Sequence, residues 1–313
     1  IASLLFTFLP TGGAAQAEPT ATTHSHDGWT ALYSNSSVFK GQDPLNAGKY
    51  YLTGNVDATG FITINGNVTL CLNGKVLDLR GYAIKVGSGD HLTICDCSSA
   101  THYGNIDTDG LWRASNSSGS CNLTGGIITS TSSVAGNSSA VSVESGGSLT
   151  LASGNIAGNT AGSYGGGGVF VYGSNSSFTM EGGSISGNTA SSGGGVSVNG
   201  SGFTMSGGNI TGNQASGSGG VGGGVTLNNT NGTSMTLSGD VGITSNTTAA
   251  DAPSNVYLPQ SGVITIGENG LTANAQIGVS MAKLGVFTSG LSGKGSLDNF
   301  TSDDSDYSLL SSD

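Results

Sequence analysis

LTLASGNIAGNTA from Leu149, FTMEGGSISGNTA from Phe178, FTMSGGNITGNQA from Phe203 and MTLSGDVGITSNTTA from Met235 are four copies of one phrase. A glycine run and a second short apolar piece follow: GGGGVFVYG from Gly165, GGGVSVNG from Gly193 and GGGVTLNN from Gly222, degenerating to PSNVYLPQ from Pro253. The starts at 149, 178, 203, 235 and, for ITIGENG, 264 lie 29, 25, 32 and 29 residues apart. A constant strand phrase with variable spacing places the insertions in loops, which a solenoid tolerates. Weaker copies come earlier: VTLCLNG from Val68, LTICDCS from Leu92, and LTGGIITS from Leu123 with AVSVES behind it.

Each repeat holds about three short strands. One is the apolar-Thr-apolar piece, one surrounds Ile156, Ile185 or Ile210, and one is Val-x-Val or Val-x-Leu. Alternation with period two puts Phe178 and Met180 on one face and Thr179 on the other, and likewise pairs Val169 with Val171 and Val196 with Val198. No such coil can bury its apolar face alone, so the coils must stack, which predicts an all-β parallel β-helix. The glycine pairs and triplets exclude a helical repeat. Asn159, Asn188, Asn213 and Asn246 occupy matching places. They are expected to form a structural ladder, because Asn tolerates left-handed backbone angles and stacked amides hydrogen-bond along a solenoid. A row of ligand contacts is the functional alternative.

Composition agrees with an array of short strands and tight turns. Glycine is 56 of 313 residues while charged residues are 9%, and hydrophobic residues are 35%. A disordered chain this poor in apolar residues would carry much more charge. The net charge is −11, drawn partly from Asp298, Asp303, Asp304, Asp306 and Asp313, and only eight Lys and Arg are spread through the chain. No basic patch is available to neutralise phosphates, so nucleic acid is not an expected partner. Residues 1–17 combine an apolar run (Leu4, Leu5, Phe6, Phe8, Leu9) with Ala15-Gln16-Ala17, which reads as a signal peptide with Glu18 as the mature N-terminus. No later stretch approaches the roughly 20 apolar residues of a membrane helix.

The cadence F-T-M-x-G-G-x-I-x-G-N-x-A with GGG-V-x-V resembles the right-handed, single-stranded parallel β-helices of the pectin lyase-like superfamily. With HSHDGWTAL from His24, GKYYLTGNV from Gly48 and NVTLCLNGKVLDLRG from Asn67, it is more closely similar to adhesin-like exported surface proteins of gut Gram-positive bacteria. The resemblance covers residues 24–313 and implies a fold and a cell-surface setting rather than an activity. On this reading residues 18–45 form a poorly ordered head, 46–280 the solenoid, and 281–313 a cap or the start of a further segment.

Several residue groups could carry chemistry. β-Helix lyases need a base and usually carboxylate ligands for calcium, and β-helix hydrolases need paired carboxylates. The chain has two arginines, and Glu181 is the single carboxylate between Leu149 and Asn228. A catalytic centre would have to sit in the irregular coil at Asp96, His102, Asp107, Asp109 and Arg113; the Asp303-Asp304 pair reads as part of a solvated tail. Cys71 and Cys95 hold equivalent places one coil apart, and with Cys97 and Cys121 they suit one or two disulfides in an exported protein. Four cysteines allow three pairings, which sequence does not choose between. Zinc on Cys95 and Cys97 with His91 or His102, or a metal on His24 and His26, are the alternatives. Thr69, Thr93, Thr150, Thr179, Thr204, Thr236 and Thr265 form an outward column, but the position two residues on varies, so the paired flat array of an ice-binding face is missing. Gly87-Ser88-Gly89-Asp90 resembles a calcium-binding turn and occurs once. Tyr164, Phe170 and Tyr172 are candidate ligand contacts.

The expectation is a secreted or cell-surface, non-catalytic scaffold that binds glycans or surface proteins, with no cofactor and no metal. The alternative is a lyase or glycoside hydrolase acting on an acidic glycan.

Overall fold

The structure, a computed structural model, describes residues 24–106, 112–115, 119, 122–132, 139–162, 165–200, 202–228 and 232–310. The leader assigned to residues 1–17, together with Asp107, Asp109, Cys121 and Tyr164, lies outside the described residues. Among the described residues, apart from the short 3-10 turns Ser37–Lys40 and Leu297–Asn299, the regular elements are strands, 23 of them in one hydrogen-bonded ladder that is parallel throughout. The ladder forms a parallel β-helix whose strands fall on three faces.

Equivalent residues of successive repeats stand opposite one another. On the first face Leu92, Leu149, Phe178, Phe203, Met235 and Ile264 stack inward in register. On the second face Leu77, Ile128, Ile156, Ile185, Ile210, Ile243 and Ile277 do the same. Ile84, Val141, Val169, Val196, Val225 and Val256 fill the third. These side chains are at most 1% exposed and belong to a single continuous core. Within it the Phe178 and Phe203 rings stack at 5.0 Å. The outward Thr column is in register from Thr69 to Thr265.

The ladder is longer than the span 46–280. It begins at Thr30–Leu32, a strand inside the segment read as a loose head, which pairs with Tyr50 to Leu52 of the solenoid. It continues to Phe300–Ser302, paired with Ile277 to Val279. These outer strands cover edges that would otherwise present unpaired backbone groups.

One coil is irregular. After His91–Cys95 the chain leaves the ladder, makes the antiparallel pairs Thr101–His102 with Leu123–Thr124 and Gly104–Ile106 with Trp112–Ala114, and rejoins at Ile127–Thr129. Trp112, Leu123, Ile127 and Ala157 form a second small core beneath it. The Trp112 amide donates to the Gly158 carbonyl at 3.3 Å, and a Cβ on Gly158 would meet Trp112 backbone at 2.0 Å. Among the described residues no helix is long and apolar enough to cross a membrane.

Candidate functional site

The recurring asparagines line one inner corner. The Nδ2 of Asn159 donates to Asn188 Oδ1, Asn188 Nδ2 to Asn213 Oδ1, and Asn213 Nδ2 to Asn246 Oδ1, each at 2.9 Å. The second proton of each Asn188, Asn213 and Asn246 amide goes back to an Ile carbonyl of the preceding coil, at 2.9 Å from Ile156, Ile185 and Ile210. The row runs on to Asn255, whose Nδ2 and backbone N–H both donate to the Asp303 carboxylate at 2.6 Å. Asp303 is therefore a half-buried acceptor at the end of an aligned row of amides, not part of a solvated tail. Burial raises its pKa, and the two Asn255 donors pull it back down. None of the ladder asparagines takes the left-handed backbone expected of them: the residues just before do, namely Gly158, Gly187, Gly212 and Ser245. The bend is made one position earlier, which leaves the Asn backbone free to aim its amide along the axis.

A second group collects at the N-terminal end. Cys71 and Cys95 end adjacent strands and stand opposite each other, with Tyr51 next along the same outward column. The arm of residues 24–29 lies over this column: the His26 ring stacks on Tyr51 at 4.3 Å, and the His24 ring stacks on Trp29 at 4.9 Å. This cover is why the outward Cys71 is buried. Cys71 Sγ is 3.5 Å from Cys97 Sγ, and Cys97 Sγ is 3.6 Å from His26 Nε2. One ligand atom from each of His24, His26, Cys71 and Cys97 lies within 4.8 Å of all the others. Cys71, Cys95 and Cys97 are free thiols. A hydrogen bond with Cys95, and then burial, push the Cys71 thiol up; burial and the neighbouring Cys71 push Cys97 up to about 12. Burial, and then the charge of His24, lower His26.

The other titratable candidates serve the fold. Asp96 is buried, and its carboxylate accepts from the Gly74 N–H at 2.7 Å and the Ser98 N–H at 3.1 Å. His102 Nε2 meets the Gly74 carbonyl at 3.0 Å, and Arg113 donates to the Thr131 carbonyl. His91 lies between Ser148 and Thr93, at 2.7 and 3.0 Å, so neither it nor His102 joins the cysteines. The Asp90 carboxylate of the glycine turn accepts from the Gly66 N–H at 2.6 Å.

On the third face Phe170 and Tyr172 point outward, half-buried, with their rings stacked at 4.6 Å. Ser142 and Ser197 flank Phe170 in register, and Asn199 stands opposite Tyr172. Burial, together with a hydrogen bond to Glu144, raises the Tyr172 hydroxyl to about 12. Fold and sites define a parallel β-helix with an internal amide ladder and polar outer faces. In comparison with known proteins, no family model, no curated protein and no solved structure matches the chain.

Proposed function

We propose that the chain is a secreted or cell-surface scaffold, akin to the pectin lyase-like β-helices in architecture, that binds glycans on its outer faces without cleaving them. What carries this reading is the outward Phe170–Tyr172 stack set among Ser142, Asn199 and Glu144. A flat aromatic surface suits the C–H face of a sugar ring, and the flanking hydroxyl, amide and carboxylate groups suit its hydroxyls. Asp96, His102 and Arg113, which an acid–base mechanism would need, are engaged with backbone groups instead. The test is retention and chain cleavage on a panel of pectic, mucin and neutral glycans. Retention without cleavage is expected, weakened about tenfold, equivalent to ~1.4 kcal/mol, in a Phe170→Ala/Tyr172→Ala variant. Cleavage that disappears on changing Arg113 would make the chain an enzyme and end the scaffold reading.

A further inference from the structure

We propose that His24, His26, Cys71 and Cys97 bind a zinc ion tetrahedrally and so staple the N-terminal arm to the first coils of the solenoid. The donor set is two thiols and two imidazoles, a composition that selects zinc among the common divalent ions. With metal–sulfur bonds near 2.3 Å and metal–nitrogen bonds near 2.0 Å, the edges of such a tetrahedron measure roughly 3.3 Å between nitrogens, 3.5 Å between nitrogen and sulfur, and 3.8 Å between sulfurs. The Cys97–His26 separation of 3.6 Å matches the nitrogen–sulfur edge, and the Cys71–Cys97 separation of 3.5 Å is within a few tenths of an ångström of the sulfur–sulfur edge.

The surroundings hold the donors in place. Tyr51 and Trp29 orient the two rings by stacking. Asp96 ties the loop bearing Cys97 to Gly74, three residues beyond Cys71 in the chain. A metal there joins three separate pieces of chain: the arm, the end of Ile62–Cys71 and the loop after His91–Cys95. The arm runs directly into Thr30–Leu32, the strand that covers the ladder's first edge. Terminal coils of a solenoid have a neighbour on one side only, so a staple there opposes fraying. Ligation exchanges protons for metal. Each thiol releases its proton to solvent, the two thiolates balance the charge of Zn²⁺, the imidazoles ligate through neutral nitrogens, and no electron is transferred.

The experiment is titration of the full chain, reduced and stripped of metal under nitrogen, with Co²⁺ and then Zn²⁺. Expected are the visible bands of tetrahedral cobalt and a thiolate-to-cobalt charge-transfer band, saturating at about one equivalent and displaced by zinc. Cys97→Ser and a His24→Ala/His26→Ala double variant should weaken binding by roughly 100-fold or more. Cys95→Ser should keep the full spectrum. The double His variant alters only the arm, and an unchanged far-ultraviolet circular dichroism spectrum would show that its solenoid is intact. An octahedral or featureless cobalt spectrum overturns the proposal, as does a tetrahedral spectrum that survives loss of both imidazoles. A chain isolated with Cys71 and Cys97 joined that gains no cobalt bands on reduction overturns it in favour of a disulfide.

Discussion

Asn188 is fully buried, and every hydrogen-bonding group of its amide is engaged. Its Oδ1 accepts from the Asn159 backbone and side chain, and its Nδ2 donates to Asn213 Oδ1 and to the Ile156 carbonyl. A leucine here would strip partners from groups in the two neighbouring coils, and each buried polar group left unsatisfied costs about 1–3 kcal/mol. Asn188→Leu is therefore expected to lower stability by ~3 kcal/mol or more, read as a shift in the chemical denaturation midpoint. An unchanged midpoint would mean that the ladder contributes nothing to stability. The four asparagines could be recognised from sequence because they recur at one place of the phrase, in G-N-T twice, then G-N-Q and S-N-T. Asn255 and Asp303, which extend and end the row, could not be, because they lie outside any copy of the phrase.

The glycine runs mark turns in the sequence, and the first glycine of each run does take a left-handed angle, but the following ones serve close approach. The middle glycines pass against the short strands Thr189–Ala190, Gln214–Ala215 and Thr247–Thr248, which form a separate stack beside the ladder asparagines. A Cβ on Gly194 would lie 2.4 Å from the Gln214 carbonyl oxygen and 2.6 Å from the Gln214 nitrogen, both backbone atoms that cannot swing aside. Gly194→Ala should therefore cost about 1–3 kcal/mol or more, in line with overpacking elsewhere. Gly54 has open space around it and no left-handed angle, so Gly54→Ala should stay within about 0.5 kcal/mol of the parent. Equal thermal shifts for the two variants would refute close packing at this corner. The metal-ligand cluster was legible only in halves. In sequence the cysteines suit disulfides first, and the metal alternatives split the donors, with His24 and His26 as one pair and Cys95 and Cys97 with the nearer His91 or His102 as another. Strand alternation put Cys71 on the outer face, yet no local pattern says that residues 24–29 fold back over it.

For the molecule as a whole, the repeat phrase made the architecture legible, since inward apolar residues recur even where the spacing does not. The ends and the irregular coil were less legible. Thr30–Leu32 and Phe300–Ser302 belong to the ladder without carrying the phrase. Between Cys95 and Ile127 the chain makes a long excursion that adds no coil to the stack. This gives the solenoid a signature: distance along its axis follows the number of coils, not the number of residues. Thr93 and Thr150 are 57 positions apart but neighbours in the column, whereas Thr150 and Thr204 are 54 apart with Thr179 between them. The decisive measurement is pulsed electron spin resonance between nitroxides attached through non-thiol chemistry, so that the native cysteines are spared. Labels at positions 150 and 265 should lie roughly 19 Å apart, and labels at 93 and 265 roughly 24 Å, at about 4.8 Å per coil. A single-coil increment for 57 added residues would establish the stacked parallel β-helix. An increment of two coils or more, or distances too broad to define one, would contradict it.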